Sequence, residues 1–135
     1  MTLYLVDKSA WEWARRDSAA GTELAELVRA GHILAGCHLT AMELAYSARN
    51  SDDHARVIAR QRATRWLPVN EAIMDRSLDI CARLAKRGQH RTPIPDVIIA
   101  ATAEHHGATV LHVDSDYERI AEVTGQPVRR VPTSA

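Results

Sequence analysis

The strongest constraint on the fold is an acid that opens a buried apolar segment late in the chain. Pro93 and Pro95 end whatever structure precedes them, and Asp96 then begins an apolar run that continues to Ala103. A run this apolar can face water on one side at most, so the pattern predicts a buried helix with Asp96 in its first turn. The fold must therefore hold one carboxyl group close to its core.

Two other apolar runs end in acids, and both predict strands. Leu3–Val6 leads directly into Asp7. A β-branched run from Thr109 to Val113 leads into Asp114 and Asp116. Parallel strands of one sheet place their carboxyl ends on the same edge, and ligands bind there at the switch in strand order. We therefore expect these acids to meet at one edge of a sheet.

The rest of the chain predicts helices packed on that sheet. Its 135 residues are enough for one domain, residues 1–135, with an ordinary core. Phe is absent and the apolar 46% is mostly aliphatic, which is typical of an α/β layer fold. Long connections between short strands imply parallel pairing. We expect a central, mostly parallel sheet of four or five strands with helices on both faces.

Three local patterns concern the middle of the chain, and the first leaves an alternative open. Thr40 followed by Glu43 matches a capping box, so Glu43 either closes its own helix or joins the other acids. A helix is predicted from Ser51 to Trp66, and the following Leu67–Val69 is at most a short edge strand because Pro68 cannot donate to a ladder. Asn70 is predicted to cap the next helix.

Charge and cysteine content exclude several classes of protein. Seventeen basic residues balance seventeen acidic ones, so no overall field attracts nucleic acid. Cys37 and Cys81 have no metal-ligand spacing and predict two buried thiols in a reducing compartment. With no leader and no apolar stretch of spanning length, we expect a cytoplasmic protein without membrane contact.

Converging carboxylates would need compensation. At about 4 Å each pair repels by about 4 kcal/mol at an effective dielectric near 20. Some carboxyls could be protonated, basic side chains could pair with them, or divalent cations could bind. The last suits an all-oxygen set, and the seven scattered histidines lack ligand spacing, so Mg²⁺ or Mn²⁺, one or two ions, is the expected occupant. Such a site can activate a water and stabilise charge on a phosphoryl group, which is nuclease chemistry.

With these residues assembled, the chain resembles PIN-domain ribonucleases, and most of all the VapC toxins of toxin–antitoxin pairs. The resemblance is carried by four motifs in order, which are Val6–Trp11, Met42–Leu44, Pro95–Ala101 and Leu111–Ala121. It implies a PIN-like fold and metal-dependent endonucleolytic cleavage of a structured RNA, such as tRNA or rRNA. It also implies a VapB-type antitoxin whose tail covers the site, and a homodimer.

The resemblance further implies roles for individual residues. Asp7, Glu43, Asp96 and Asp114 would form the catalytic quartet. The metal would be held by Asp7, Asp96, Asp114 and Asp116, with the choice between the last two as fourth acid left open. Ser9 would orient a carboxylate or a metal-bound water. Candidates for contacts with the RNA backbone are basic residues near the predicted edge, namely Lys8, Arg15, Arg16, Lys86, Arg87 and Arg91.

Two other functions fit parts of the pattern. A phosphoacceptor receiver domain has a similar length and an acidic pocket, but it needs an acceptor aspartate that ends a strand in mid-chain and a late lysine after a strand, and neither is visible. A catalytically silent module that binds RNA or protein through the same fold is less favoured, because no acid of the quartet is missing.

Overall fold

The sheet is built around the first strand of the chain. In the computed structural model, which describes residues 1–135, five strands lie in the order β3-β2-β1-β4-β5 and every pair is parallel. The strands are β1 (Leu3–Val6), β2 (Ile33–Gly36), β3 (Arg65–Trp66), β4 (Thr109–His112) and β5 (Val128–Arg130). The helices are α1 (Lys8–Arg16), α2 (Ser18–Arg29), α3 (His38–Tyr46), α4 (Ser51–Arg62), α5 (Glu71–Lys86), α6 (Ile94–His105) and α7 (Ser115–Thr124).

Helices cover both faces of the sheet, as the alternation of side chains on β1 requires. Leu5 points into a cluster of 16 buried residues that includes side chains of α5, α6 and α7. Tyr4 and Val6 point to the opposite face and join a smaller cluster with residues of α1 and α2. The predicted α/β architecture, a parallel sheet between two layers of helices, is confirmed.

The strand order places a topological switch beside β1. The chain moves from β1 to β2 and β3 on one side, then crosses to β4 and β5 on the other. The pairing of β1 with β4 extends to the carboxyl edge, where the Asp7 amide donates to the Leu111 carbonyl at 2.9 Å. Asp7 therefore lies at the crevice where open α/β sheets bind their ligands.

The most apolar helix, α6, begins as predicted. It starts at Ile94, carries Pro95 in its first turn, where the missing N–H has no intrahelical partner to lose, and holds Asp96 in the same turn. Every side chain from Asp96 to Ala103 is buried. None of the seven helices combines the length and the apolar character that a membrane span would need.

The predicted helix from Ser51 to Trp66 is wrong at its end. α4 ends at Arg62, and Arg65–Trp66 form β3 by pairing with Ala35 and Gly36. The strand expected at Leu67–Val69 therefore lies two residues earlier. Asn70 does cap α5, because its side-chain oxygen accepts from the Ile73 amide at 2.9 Å.

Candidate active site

Asp7 joins β1 to α1 and is fixed by its own helix. It is the N-cap of α1, is only 3% exposed, and its Oδ2 accepts from both the amide and the hydroxyl of Ser9, at 2.9 and 2.6 Å. The Ser9 hydroxyl in turn accepts from the Val113 amide at 2.9 Å. Ser9 thus links the first acid to the end of β4.

Tyr117 holds the other oxygen of Asp7. Its side chain is fully buried, and its hydroxyl donates to Asp7 Oδ1 at 2.6 Å while lying 3.5 Å from Asp96 Oδ1. This contact did not emerge from the sequence, where Tyr117 looks like any apolar residue of a short helix. The available signal is its position in the first turn of α7, directly after Asp116 and three residues after Asp114.

Glu43 lies with the other acids and does not cap its helix. α3 begins three residues earlier than the capping-box pattern required, with Cys37 at the N-cap, so Thr40 is the third helical residue. The Thr40 hydroxyl accepts from the Cys37 amide at 3.0 Å. That leaves Glu43 one turn further on, half-buried and with no part in the cap.

The acids converge into two overlapping triplets. Asp7, Glu43 and Asp96 can place one oxygen each within 4.8 Å of one another, and so can Asp96, Asp114 and Asp116. Asp96 belongs to both triplets. The side chains come from four elements, and the start of α7 brings the last two together, because Asp114 caps that helix by accepting from the Asp116 amide at 2.9 Å.

Charge repulsion in this cluster is strong and only partly relieved. Burial, followed by the charges of Asp7 and Asp114, raises the pKa of Asp96 to about 8. Burial and then Asp7 also raise the pKa of Glu43, against which Lys8 acts in the opposite direction. Arg119 pairs with Asp116 at 2.5 Å. An all-oxygen donor set with this excess of negative charge could hold a divalent metal ion.

A buried histidine supports the end of β4. His112 is fully buried, and its Nδ1 accepts from the Asp114 amide at 3.1 Å, so the ring proton of the neutral imidazole is on Nε2. Nε2 has no hydrogen-bond partner. Burial lowers the pKa of His112, which keeps the ring neutral. Sequence reasoning gave this residue no part in the site.

The predicted basic residues are distributed over three separate segments of the structure. Lys8 begins α1 next to Asp7, whereas Arg15 and Arg16 stand in the last turn, about 12 Å further along the axis at 1.5 Å per residue. Arg15 lines a groove of about 500 Å³ beside α3 and α4. Arg16 lies over the ring of Trp13 at 4.9 Å. Lys86 and Arg87 end α5, Arg87 pairing with Glu122 at 2.9 Å, and Arg91 is exposed before α6.

Comparison with known proteins gives a consistent family. The profile of the PIN domain matches residues 4–123. The chain is 41% identical over 132 residues to a protein of Mycobacterium tuberculosis named Ribonuclease VapC21, covering 96% of this chain and 94% of that protein. It is 38% identical over 124 residues to Ribonuclease VapC51 of the same organism, covering 92% and 89%.

Solved structures share the fold at low sequence identity. One is VapBC2 from Rickettsia felis bound to a DNA fragment from its promoter, with a TM-score of 0.76, 13% identity and coverage of 96% of this chain and 98% of that chain. Another is VapBC-5 from Mycobacterium tuberculosis, described as a toxin–antitoxin system, with a TM-score of 0.64, 20% identity and coverage of 98% and 100%. From the fold, the profile match and the two ribonucleases together, it follows that this chain belongs to the PIN-domain family, among the VapC ribonucleases.

Proposed function

We propose that this protein is the toxin of a toxin–antitoxin pair and cleaves RNA internally with the help of Mg²⁺ or Mn²⁺. The observation that carries the proposal is the convergence of five acids, with Asp96 shared by both triplets, at the sheet's switch point. Membership of the VapC ribonucleases supports it. So does the fold shared with VapBC complexes, which also suggests a VapB-type antitoxin as partner. We further propose a cytoplasmic homodimer whose substrate is a structured RNA.

Asp7, Asp96, Asp114 and Asp116 would hold the cation. Bound there, one or two divalent ions would activate a water and stabilise the negative charge that builds on the phosphate during in-line displacement. We propose Asp114 as the fourth key acid, because one oxygen of Asp116 is already paired with Arg119. Ser9 keeps the Asp7 carboxylate oriented through two hydrogen bonds.

Glu43 would act as the general base that accepts a proton from the attacking water. It is the least buried member of its triplet, and its raised pKa brings its proton affinity closer to neutrality. A carboxylate in that position can accept a proton from the attacking water. Lys8, which acts on the charge of Glu43, is the candidate closest to the acids for a contact with the RNA phosphate.

The test is cleavage of total RNA and of purified tRNA by the full chain with Mg²⁺ or Mn²⁺. We expect Asp7→Asn and Asp96→Asn to lose at least 100-fold in rate, in line with loss of a main electrostatic group. Asp114→Asn should cost more than Asp116→Asn. The matched control is Asp17→Asn, because Asp17 is also an N-cap aspartate but accepts only from backbone amides away from the cluster.

Cleavage that survives both Asp7→Asn and Asp96→Asn would reject the metal-dependent nuclease. Binding of RNA without cleavage in any divalent cation would instead favour the silent binding module.

A further inference from the structure

The phenol of Tyr117 ends among the acids although the residue is fully buried. Its hydroxyl lies 2.6 Å from Asp7 Oδ1 and 3.5 Å from Asp96 Oδ1. A phenol has one proton to donate, so it donates to the nearer of the two oxygens. Asp7 therefore receives this hydrogen bond and Asp96 does not.

The two oxygens of Asp7 are unequally occupied. Oδ2 accepts from the Ser9 amide at 2.9 Å and from the Ser9 hydroxyl at 2.6 Å, which uses both of its lone-pair directions. Oδ1 accepts only from Tyr117 and keeps one direction free. A cation approaching the buried Asp7 carboxylate can therefore use Oδ1 alone.

We propose that Tyr117 is a positioning residue that, with Ser9, makes Asp7 a single-oxygen ligand through Oδ1. The inference rests on the proposed function, because it concerns the same cation. It adds a residue outside the acid set to the machinery of the site, and it fixes how one acid of that set can bind.

The surroundings of Tyr117 leave its hydroxyl little freedom. The ring lies 5.3 Å from that of His112, measured between centroids, and both side chains are fully buried. The Tyr117 amide donates to the Asp114 carbonyl at 3.2 Å, which ties the start of α7 to the end of β4. His112 also accepts from the Asp114 amide. The backbone contacts that fix Asp114, an acid of the second triplet, therefore also fix the position of the Tyr117 hydroxyl.

Loss of the hydroxyl should weaken the site in two ways. The Asp7 carboxylate would gain rotational freedom, and it would lose a donor that stabilises its charged form in a buried position. Removal of such an outer hydrogen-bond partner typically costs 10- to 100-fold in metal affinity. The effect should appear in cation binding without any RNA present.

The experiment is a titration of the full chain with Mn²⁺, followed by electron paramagnetic resonance of the free ion. We expect Tyr117→Phe to raise the Kd for Mn²⁺ about 10-fold. The matched control is Tyr4→Phe, which removes another buried tyrosine hydroxyl, one that accepts from Arg129 at 3.0 Å. It should stay within about twofold of the wild type, since its partner is not an acid of the site.

A Kd for Tyr117→Phe equal to that of the wild type would overturn the inference and leave the nuclease proposal intact. Mn²⁺ binding that is absent from the wild type, or unchanged in Asp96→Asn, would overturn both. If Tyr117→Phe does not fold, the wild type answers the question by nuclear magnetic resonance. Addition of Mg²⁺ should then shift the Tyr117 ring carbon that bears the hydroxyl more than that of Tyr4, and equal shifts would contradict the proposal.

Discussion

Asp96 is the carboxyl group whose negative charge the fold opposes most. Its pKa rises to about 8, chiefly through burial and then through Asp7. Between the ordinary carboxyl pKa near 4 and this value, the native protein binds more protons than the unfolded chain. The free energy of unfolding without metal must therefore fall as pH rises through this window. A bound divalent cation would remove the penalty by compensating the charge.

This sign gives a prediction for protein treated with a chelator. The melting temperature of the wild type should fall between pH 5 and 8, and Asp96→Asn should flatten this decline. At pH 8 the variant should melt about 2–4 °C higher than the wild type, which corresponds to a gain of about 1 kcal/mol in the free energy of unfolding. Circular dichroism at 222 nm measures both. Parallel declines in the two proteins would mean that Asp96 does not carry the buried charge.

Four of the five acids could be identified from the sequence because each of them follows a strand or lies in the first turn of a helix. The contact between Tyr117 and Asp7 could not, since it joins residues 110 positions apart and depends on how α7 packs in the folded protein. The role of Glu43 stayed open for a local reason, because the start of α3 at His38 decides whether Thr40 can be a cap.

The β2–β3 edge shows how an element can depend on one missing side chain. A Cβ on Gly36 would lie 2.8 Å from Thr64 Oγ1 and 3.0 Å from Gln61 Oε1. Thr64 cannot rotate away freely, because its hydroxyl donates to the Gln61 carbonyl at 2.6 Å. The glycine therefore lets the turn after α4 approach the sheet and lets Arg65–Trp66 pair as a strand.

We expect Gly36→Ala to destabilise the protein by about 1–3 kcal/mol, the usual cost of overpacking. In a Thr64→Ala background the same change should cost less, because the closest clashing atom is gone. Urea denaturation of the four proteins forms a double-mutant cycle that measures the difference. An equal cost in both backgrounds would show that the contact with Thr64 does not limit this position.

The position of β3 could not be predicted from the sequence, although a short edge strand was expected two residues later. Two residues carry no periodic pattern, and the partner strand lies about thirty positions earlier. The arginine-rich pattern of α4 continues to Arg65, so the helix predicted from the sequence included the residues that form β3.

At the scale of the whole molecule, binding of RNA must rely on local charge, because seventeen basic residues balance seventeen acidic ones. The basic side chains proposed to contact RNA differ in whether they are already paired with an acid. Arg91 makes no ion pair, whereas Arg87 is paired with Glu122. Phosphate contacts appear as a salt dependence of affinity, with a slope that changes by about 0.7–0.9 per contact.

We expect Arg91→Ala to weaken RNA binding and to reduce that slope by about 0.7–0.9, and Arg87→Ala to change it less. Fluorescence anisotropy in an Asp96→Asn background measures affinity without cleavage. Arg29→Ala is the control for loss of one positive charge, since Arg29 ends α2 on the approach to the opposite edge of the sheet. A slope unchanged in Arg91→Ala would remove this residue from the RNA interface.

The parallel sheet places β1 between strands made early and strands made late. Asp7 is among the first residues to leave the ribosome, yet its amide donates to the carbonyl of Leu111, which is made more than 100 residues later. Three of the five acids also follow residue 95. A nascent chain thus carries no assembled centre until translation is nearly finished. A copy truncated by a premature stop before Asp96 would lack three of the five acids, so we expect it to cleave no RNA.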